Sequence, residues 1–229
     1  GTLLVTGWAT LISVPIGLAT AIYLVEYAGN SKLARATTFF VDVMTGIPSI
    51  VAGLFAAALF GLLVSPAYRA GIMGAVALSV LMIPTVVRSS EEMLRLVPNE
   101  LREASYALGV PKWLTIVKVV LRTSAAGLTT AVMLAIARVV GETAPLLMTV
   151  GVIDSINYNV FEGRLMTLPV YVYRQYSQGL APCGALENCV ETINYDRAWA
   201  AALVLILLVM LFNLIARIVA YYFAPKGRS

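Results

Sequence analysis

Between residues 2 and 25 there is not one charged side chain. A run of this kind is at home only where water is excluded, and a backbone without water must satisfy its own N–H and C=O groups. An α-helix does so within a single segment, and roughly 20 apolar residues suffice to cross the hydrocarbon of a bilayer. Four further segments read the same way: 36–64, 72–88, 123–150 and 198–223. Apolar residues make up 60% of the chain and charged ones 12%, far from what a soluble domain needs to bury a core. The expected fold is an all-α polytopic membrane bundle with five spans, and residues 1–229 read as a single domain.

Several function classes drop out at once. The chain has no His, which removes His-based catalysis and most transition-metal sites. It has no G-x-x-x-x-G-K-[ST] loop to cradle a nucleotide. It has no basic face with interleaved aromatics, so no nucleic-acid partner is expected. The partner to be expected on composition alone is the lipid bilayer.

The polar connections give the topology. With five spans, one side holds Lys32, Arg35, Arg88, Arg95, Arg102, Lys112, Lys118, Arg122, Arg217, Lys226 and Arg228. The other holds Arg69, Arg164, Arg174 and Arg197. Cytoplasmic loops carry the excess of Lys and Arg. The reading is therefore that 91–122 and the C-terminus are cytoplasmic and 151–197 is extracytoplasmic. The sequence opens inside an apolar run without Met, so a fragment or processed form is expected, with a sixth span in the full protein. Cys183 and Cys189, on the outer side, are expected to close a small disulfide loop. The alternatives are free thiols or a metal pair, and there is no His or further Cys to complete a metal site.

Two stretches carry charge where it costs most. In the span 123–150, Arg138 and Glu142 are four residues apart, hence on one helix face. A charge at membrane depth costs at least about 2.5 kcal/mol and normally faces a pathway or a partner. The pair is either an internal ion pair or an anion site, in which the guanidinium fork meets the oxygens and the carboxylate accepts a proton carried by the anion. Thr143 lies beside it. Gly127, Ala131 and Ala135 form a small-residue stripe for close packing, while Gly141 and Pro145 loosen the helix next to the charges. Arg88, at the end of the third span, either snorkels to the headgroups or belongs to the pathway. Asp42 reads as a helix-start carboxylate with no assigned role.

The second stretch is 91–122. Pro98 and Asn99 mark a helix start, with Asn99 as a candidate N-cap. Leu101, Ala104, Ser105 and Leu108 then form a narrow stripe, and Gly109 followed by Pro111 ends it. Trp113, Ile116, Val117 and Val120 make a second stripe. This is an ordered amphipathic helix–turn–helix, suited either to the lipid surface or to a groove on a soluble partner.

Glu103, Ala104 and Ser105, then Gly109, then Val119 and Leu121, resemble the EAA loop of the membrane subunits of ABC importers. That pattern is Glu-Ala-Ala, three residues, Gly, nine residues, then Ile-x-Leu-Pro. The chain departs from it at Ser105, Val119 and Arg122, so the resemblance implies ATPase coupling only for Glu103, Ala104, Ser105, Leu108 and Gly109. Residues 47–55 (IPSIVAGLF), 86–109, 107–113 (ALGVPKW), 135–147 (AIARVVGETAPLL) and 168–170 resemble, more narrowly, the PstA-type permease subunits of phosphate ABC importers. The resemblance implies a type I importer permease fold, in the plasma membrane of a prokaryote. It implies a second permease subunit, a dimeric ATPase holding ATP and Mg, and an extracytoplasmic phosphate-binding protein as partners. No cofactor is then expected in this chain, and no covalent chemistry. Arg138 and Glu142 match the family's charged pair, and Arg88 matches a charged position. The rival readings are a permease for sulfate or molybdate, a passive channel or secondary transporter, and an intramembrane enzyme. The last has neither His nor a nucleophile–base pair to work with.

Overall fold

The apolar runs become helices in the computed structural model, which describes residues 1–29, 31–183 and 189–223. In chain order they are α1 (Thr2–Ile22), continued by a π-helical turn at Tyr23–Tyr27, α2 (Lys32–Thr45), α3 (Ser49–Leu63), α4 (Gly71–Arg95) and α5 (Asn99–Ala107). Then come α6 (Lys112–Thr115), a second π turn at Ile116–Val120, α7 (Leu121–Val140), α8 (Ala144–Thr149), α9 (Leu168–Gln178) and α10 (Ile193–Phe223). No strand occurs among the described residues. The basic tail at Lys226 and Arg228 lies outside them.

Four helical stretches of the described residues are long and apolar enough to cross a membrane: Thr2–Tyr27, Gly71–Arg95, Lys112–Val140 and Ile193–Val219. The fifth expected span is not one helix. Lys32–Thr45 and Ser49–Leu63 meet at an angle of 107°. The break falls at Gly46, Ile47 and Pro48, where Pro48 can donate no backbone hydrogen bond and disfavours helix at the residue before it. Span boundaries shift as well. α4 runs on past Arg88 to Arg95, and the segment 112–122 is continuous with the long helix ending at Val140. The stretch 151–197, expected as an extracytoplasmic loop, contains α9 and the start of α10.

The chain divides into two compact units. The first comprises Gly1–Ala9, Pro48–Ser79 and Arg138–Leu211. Here α3 packs along the short α8. The contact is close because Gly53 has no side chain: a Cβ there would sit 2.7 Å from the Pro145 Cα and 3.0 Å from its carbonyl oxygen. Ala56, Met73 and Ala77 form a small core flanked by Phe60 and Tyr68. The polar stretch after α8 is tied down by Ile72 N donating to the Val160 oxygen (2.8 Å) and Leu165 N to that of Val150 (3.3 Å). The Asn157 amide adds bonds to the carbonyls of Glu162 and Arg164. Cys183 and Cys189 are bonded, with their Cα atoms 5.4 Å apart.

The second unit comprises Thr10–Ile47, Val80–Ala137 and Phe212–Ser229. One core joins Ala21, Leu94, Val97, Val120 and Leu128, with Val25 and Met93 against it. Another joins Leu24, Ala28, Ala34, Val41 and Val87. The Ser31 hydroxyl caps α2 by accepting from Ala34 N at 3.1 Å.

The α3–α8 contact leads to a stability prediction. Gly53→Ala should destabilise the detergent-solubilised protein by about 1–3 kcal/mol, because the obstructing atoms are backbone. Gly7→Ala, with nothing within 4 Å of the new Cβ, serves as its control. Equal melting temperatures for the two variants would contradict the packing described.

Candidate functional site

The residues singled out by sequence fall in both units. In the first unit, Arg138 occupies the last turn of α7, exposed, while Glu142 and Thr143 are half-buried. They do not share a helix face. α7 ends at Val140, and residues 141–143 form a break before α8 begins at Ala144. Glu142 N still reaches back to the Val139 carbonyl at 3.2 Å. The continuous-helix premise of a four-residue spacing therefore fails, and its physical reason is the Gly141–Pro145 punctuation. What replaces it is a charged turn between two helix segments, with the base on one side and the carboxylate within the turn. Non-helical backbone at membrane depth is tolerated where it lines a cavity or is buried in protein.

In the second unit, Arg88 stands among charged partners. It is paired with Asp42, and its Nη1 lies 3.2 Å from Glu91 Oε2. Glu91 in turn accepts from Arg95 at 2.6 Å. Asp42, Arg88, Glu91 and Arg95 thus form a chain of alternating sign with no net charge. Glu91 is its buried member, its side chain 8% exposed against 55% for Asp42. Asp42 is part of the α2–α4 brace, a role its position in the sequence did not suggest.

α5 is the short helix expected between residues 98 and 109. Its first helical residue is Asn99 and its N-cap position is Pro98, so Asn99 does not cap the helix. Its amide oxygen instead accepts from Arg102 at 3.2 Å. The C-terminus closes as expected. Gly109 has φ 74°, its N–H bonds the Tyr106 carbonyl at 2.9 Å, and the Val110 N–H bonds that of Ser105 at 3.2 Å. This is the paired closure that favours Gly at the position after the cap.

The predicted stripe splits. Leu101, Glu103, Ala104 and Leu108 are exposed, Leu108 by 83%. Ser105 is buried, and its hydroxyl lies 2.9 Å from that of Thr115. Ser105 therefore fastens α5 to α6, leaving its neighbours to face outward.

Sequence reasoning missed the strongest contact of this helix. Arg102 Nε and Nη2 both donate to Glu26 Oε1, at 3.1 and 2.8 Å. Nη1 reaches the Val97 carbonyl at 2.5 Å and Nη2 that of Leu94 at 3.1 Å. The only signal available was that Glu26 is the first charge after the opening apolar run. Its partner is 76 residues away.

Comparison with known proteins agrees with this architecture. A family model described as "Binding-protein-dependent transport system inner membrane component" matches residues 13–229. Phosphate transport system permease protein PstA 1 of Mycobacterium tuberculosis is 47% identical over 230 residues, covering all of this chain and 70% of the relative. The PstA of Mycobacterium leprae is 46% identical, over 90% of this chain and 64% of that protein. The PstA of Yersinia pestis is 39% identical, over 96% and 68%. Among solved structures, a chain of the MetNI methionine ABC transporter in an inward facing conformation superposes with a TM-score of 0.74 at 22% identity, covering 98% of this chain and 93% of its own. That likeness is one of fold, the type I importer permease fold.

The charge chain in the second unit makes an ordering prediction. Glu91→Gln removes a buried charge accepting from two guanidinium groups and should cost about 1–3 kcal/mol. Asp42→Asn, at an exposed pair, should cost under about 1 kcal/mol. Thermal unfolding of the two variants checks the order, and the reverse order contradicts the brace.

Proposed function

The chain belongs to the family of binding-protein-dependent transport system inner membrane components, and we propose that it is the permease through which an ATP-driven importer admits inorganic phosphate. The observation that carries the phosphate assignment is identity of 37–47% to phosphate transport permeases over nine-tenths or more of the chain.

The pathway we assign to Arg138, Glu142 and Thr143. Phosphate keeps a proton at neutral pH. A guanidinium fork can hold two of its oxygens while a carboxylate accepts that proton. Sulfate has no proton to offer and would meet the carboxylate as a like charge, so the pair discriminates by chemistry, not by size. The break between α7 and α8 suits this role, because interrupted helices bring polar groups to the substrate at membrane depth. Arg88, the other pathway candidate, already satisfies two carboxylates and is better placed as a brace.

Coupling we assign to α5. Its outward residues Leu101, Glu103, Ala104 and Leu108 offer an apolar stripe with a carboxylate beside it, fit for a groove on a soluble ATPase. Ser105 and Gly109 hold it in place from within. The ATPase would supply ATP and Mg, since this chain has no phosphate-cradling loop. A second permease subunit and an extracytoplasmic binding protein complete the assembly, with 91–122 on the ATPase side and 151–197 facing the binding protein. ATP binding then switches the opening of the pathway from outside to inside.

The test is ATP-driven phosphate uptake into vesicles holding the full complex. Arg138→Ala should lower uptake by at least about tenfold, the weight of one charge-assisted hydrogen bond, with assembly and ATP hydrolysis retained. Glu142→Gln should erode the preference for phosphate over sulfate. Persisting uptake in Arg138→Ala would make the residue structural.

A further inference from the structure

Arg102 has more bonds than a surface helix needs. Its guanidinium reaches three separate pieces of chain: Glu26 in the π turn after α1, the carbonyls of Leu94 and Val97 at the end of α4, and Asn99 at the start of its own helix. The Arg102 and Glu26 side chains are 13% and 5% exposed, so water screens the pair little. Leu94 and Val97 belong to the core that also holds Ala21 and Val120, and Val25, next to Glu26 in the chain, packs against it. The other end of the helix is held by Ser105 on Thr115, and Lys112 lies over the Tyr27 ring at 5.0 Å.

Two of the chain segments that receive α5 contain a π turn, Tyr23–Tyr27 and Ile116–Val120. A π turn is an extra residue lodged in a helix, a place where hydrogen-bond register can change by one step. A rigid pair joined to such a point can pass a displacement into the helix beyond it.

We propose that Glu26 and Arg102 form the strut through which movement of α5 is passed to α1 and α4, making both positioning residues of transport. The proposal rests on the coupling role given to α5 above. Neither residue faces the ATPase or the pathway. Their task is to keep α5 and the ends of the two long helices moving as one body. A loosened strut lets α5 follow the ATPase while the helices stay behind, and hydrolysis then runs without transport.

The experiment uses the complete importer in proteoliposomes with its ATPase and phosphate-loaded binding protein. Uptake and ATP hydrolysis are measured per assembled complex. Glu26→Gln keeps size and acceptor but loses charge, and Arg102→Lys keeps charge but loses the fork. Both should assemble and hydrolyse ATP while phosphate moved per ATP falls by about tenfold. The double variant Glu26→Cys with Arg102→Cys should be uncoupled as well, and a short bis-maleimide across the two thiols should restore the ratio. A ratio equal to the native one in the single variants, whatever the yield of complex, overturns the strut. So does a cross-link that leaves the double variant uncoupled.

A spin label at Leu11, exposed on α1, reads the strut without reference to the anion. ATP should alter its spectrum in the native complex and not in Glu26→Gln. If the native complex shows that change but takes up no phosphate, the substrate reading fails and the strut stands. If both complexes show it, the strut fails alone.

Discussion

A guanidinium group withdrawn from water has to find its hydrogen bonds inside the protein, and Arg102 finds them in such a way that three chain segments are fixed at once. Burying one member of an ion pair without the other is strongly destabilising. Here Glu26 supplies the charge, and the carbonyls of Leu94, in the last turn of α4, and of Val97, just beyond it, supply the rest. The contact that satisfies Arg102 thus also ties down the end of α4. α5 has nine residues, too few to be stable as an isolated helix. It exists because Arg102 holds its beginning, Ser105 its middle and the left-handed Gly109 its end.

The same economy governs the remaining charges near the spans. Asp42, Arg88, Glu91 and Arg95 cancel one another along α2 and α4. The interruptions are handled in a comparable manner. α2 and α3 break at Gly46–Pro48, and α7 and α8 break at 141–143. The helices that follow the two breaks, α3 and α8, pack on each other through Gly53 and Pro145. Within that unit, each interrupted segment supports the other.

The spans were legible because hydropathy over about 20 residues is a strong signal that needs no knowledge of neighbours. The turn at Gly109 was legible because only a few residues accept a positive φ. Hydropathy is blind to direction, however. Residues 36–64 read as one span, although Gly46 and Pro48 carried the signal of the 107° bend. The spacing of Arg138 and Glu142 gave the wrong geometry, because a face argument presupposes an unbroken helix. Ser105 sits in the stripe by periodicity but is turned inward by Thr115, a partner ten residues away that no period reveals. The pairs of Arg102 with Glu26 and of Arg88 with Asp42 join residues 76 and 46 positions apart. Nothing local marks either one.

These pairings also bear on the anion site proposed above. An arginine already shared between carboxylates offers a ligand little net charge, and leaving one of those carboxylates unpaired costs desolvation energy. That weighs against Arg88 and against Arg102, the one in a neutral chain and the other saturated by oxygen acceptors. Arg138 belongs to the other unit. It stands exposed in the last turn of α7, next to a stretch of backbone that leaves the helix and carries a half-buried carboxylate. The two other arginine centres tie segments of one unit together, Arg88 joining α2 to α4 and Arg102 joining the turn after α1 to the last turn of α4.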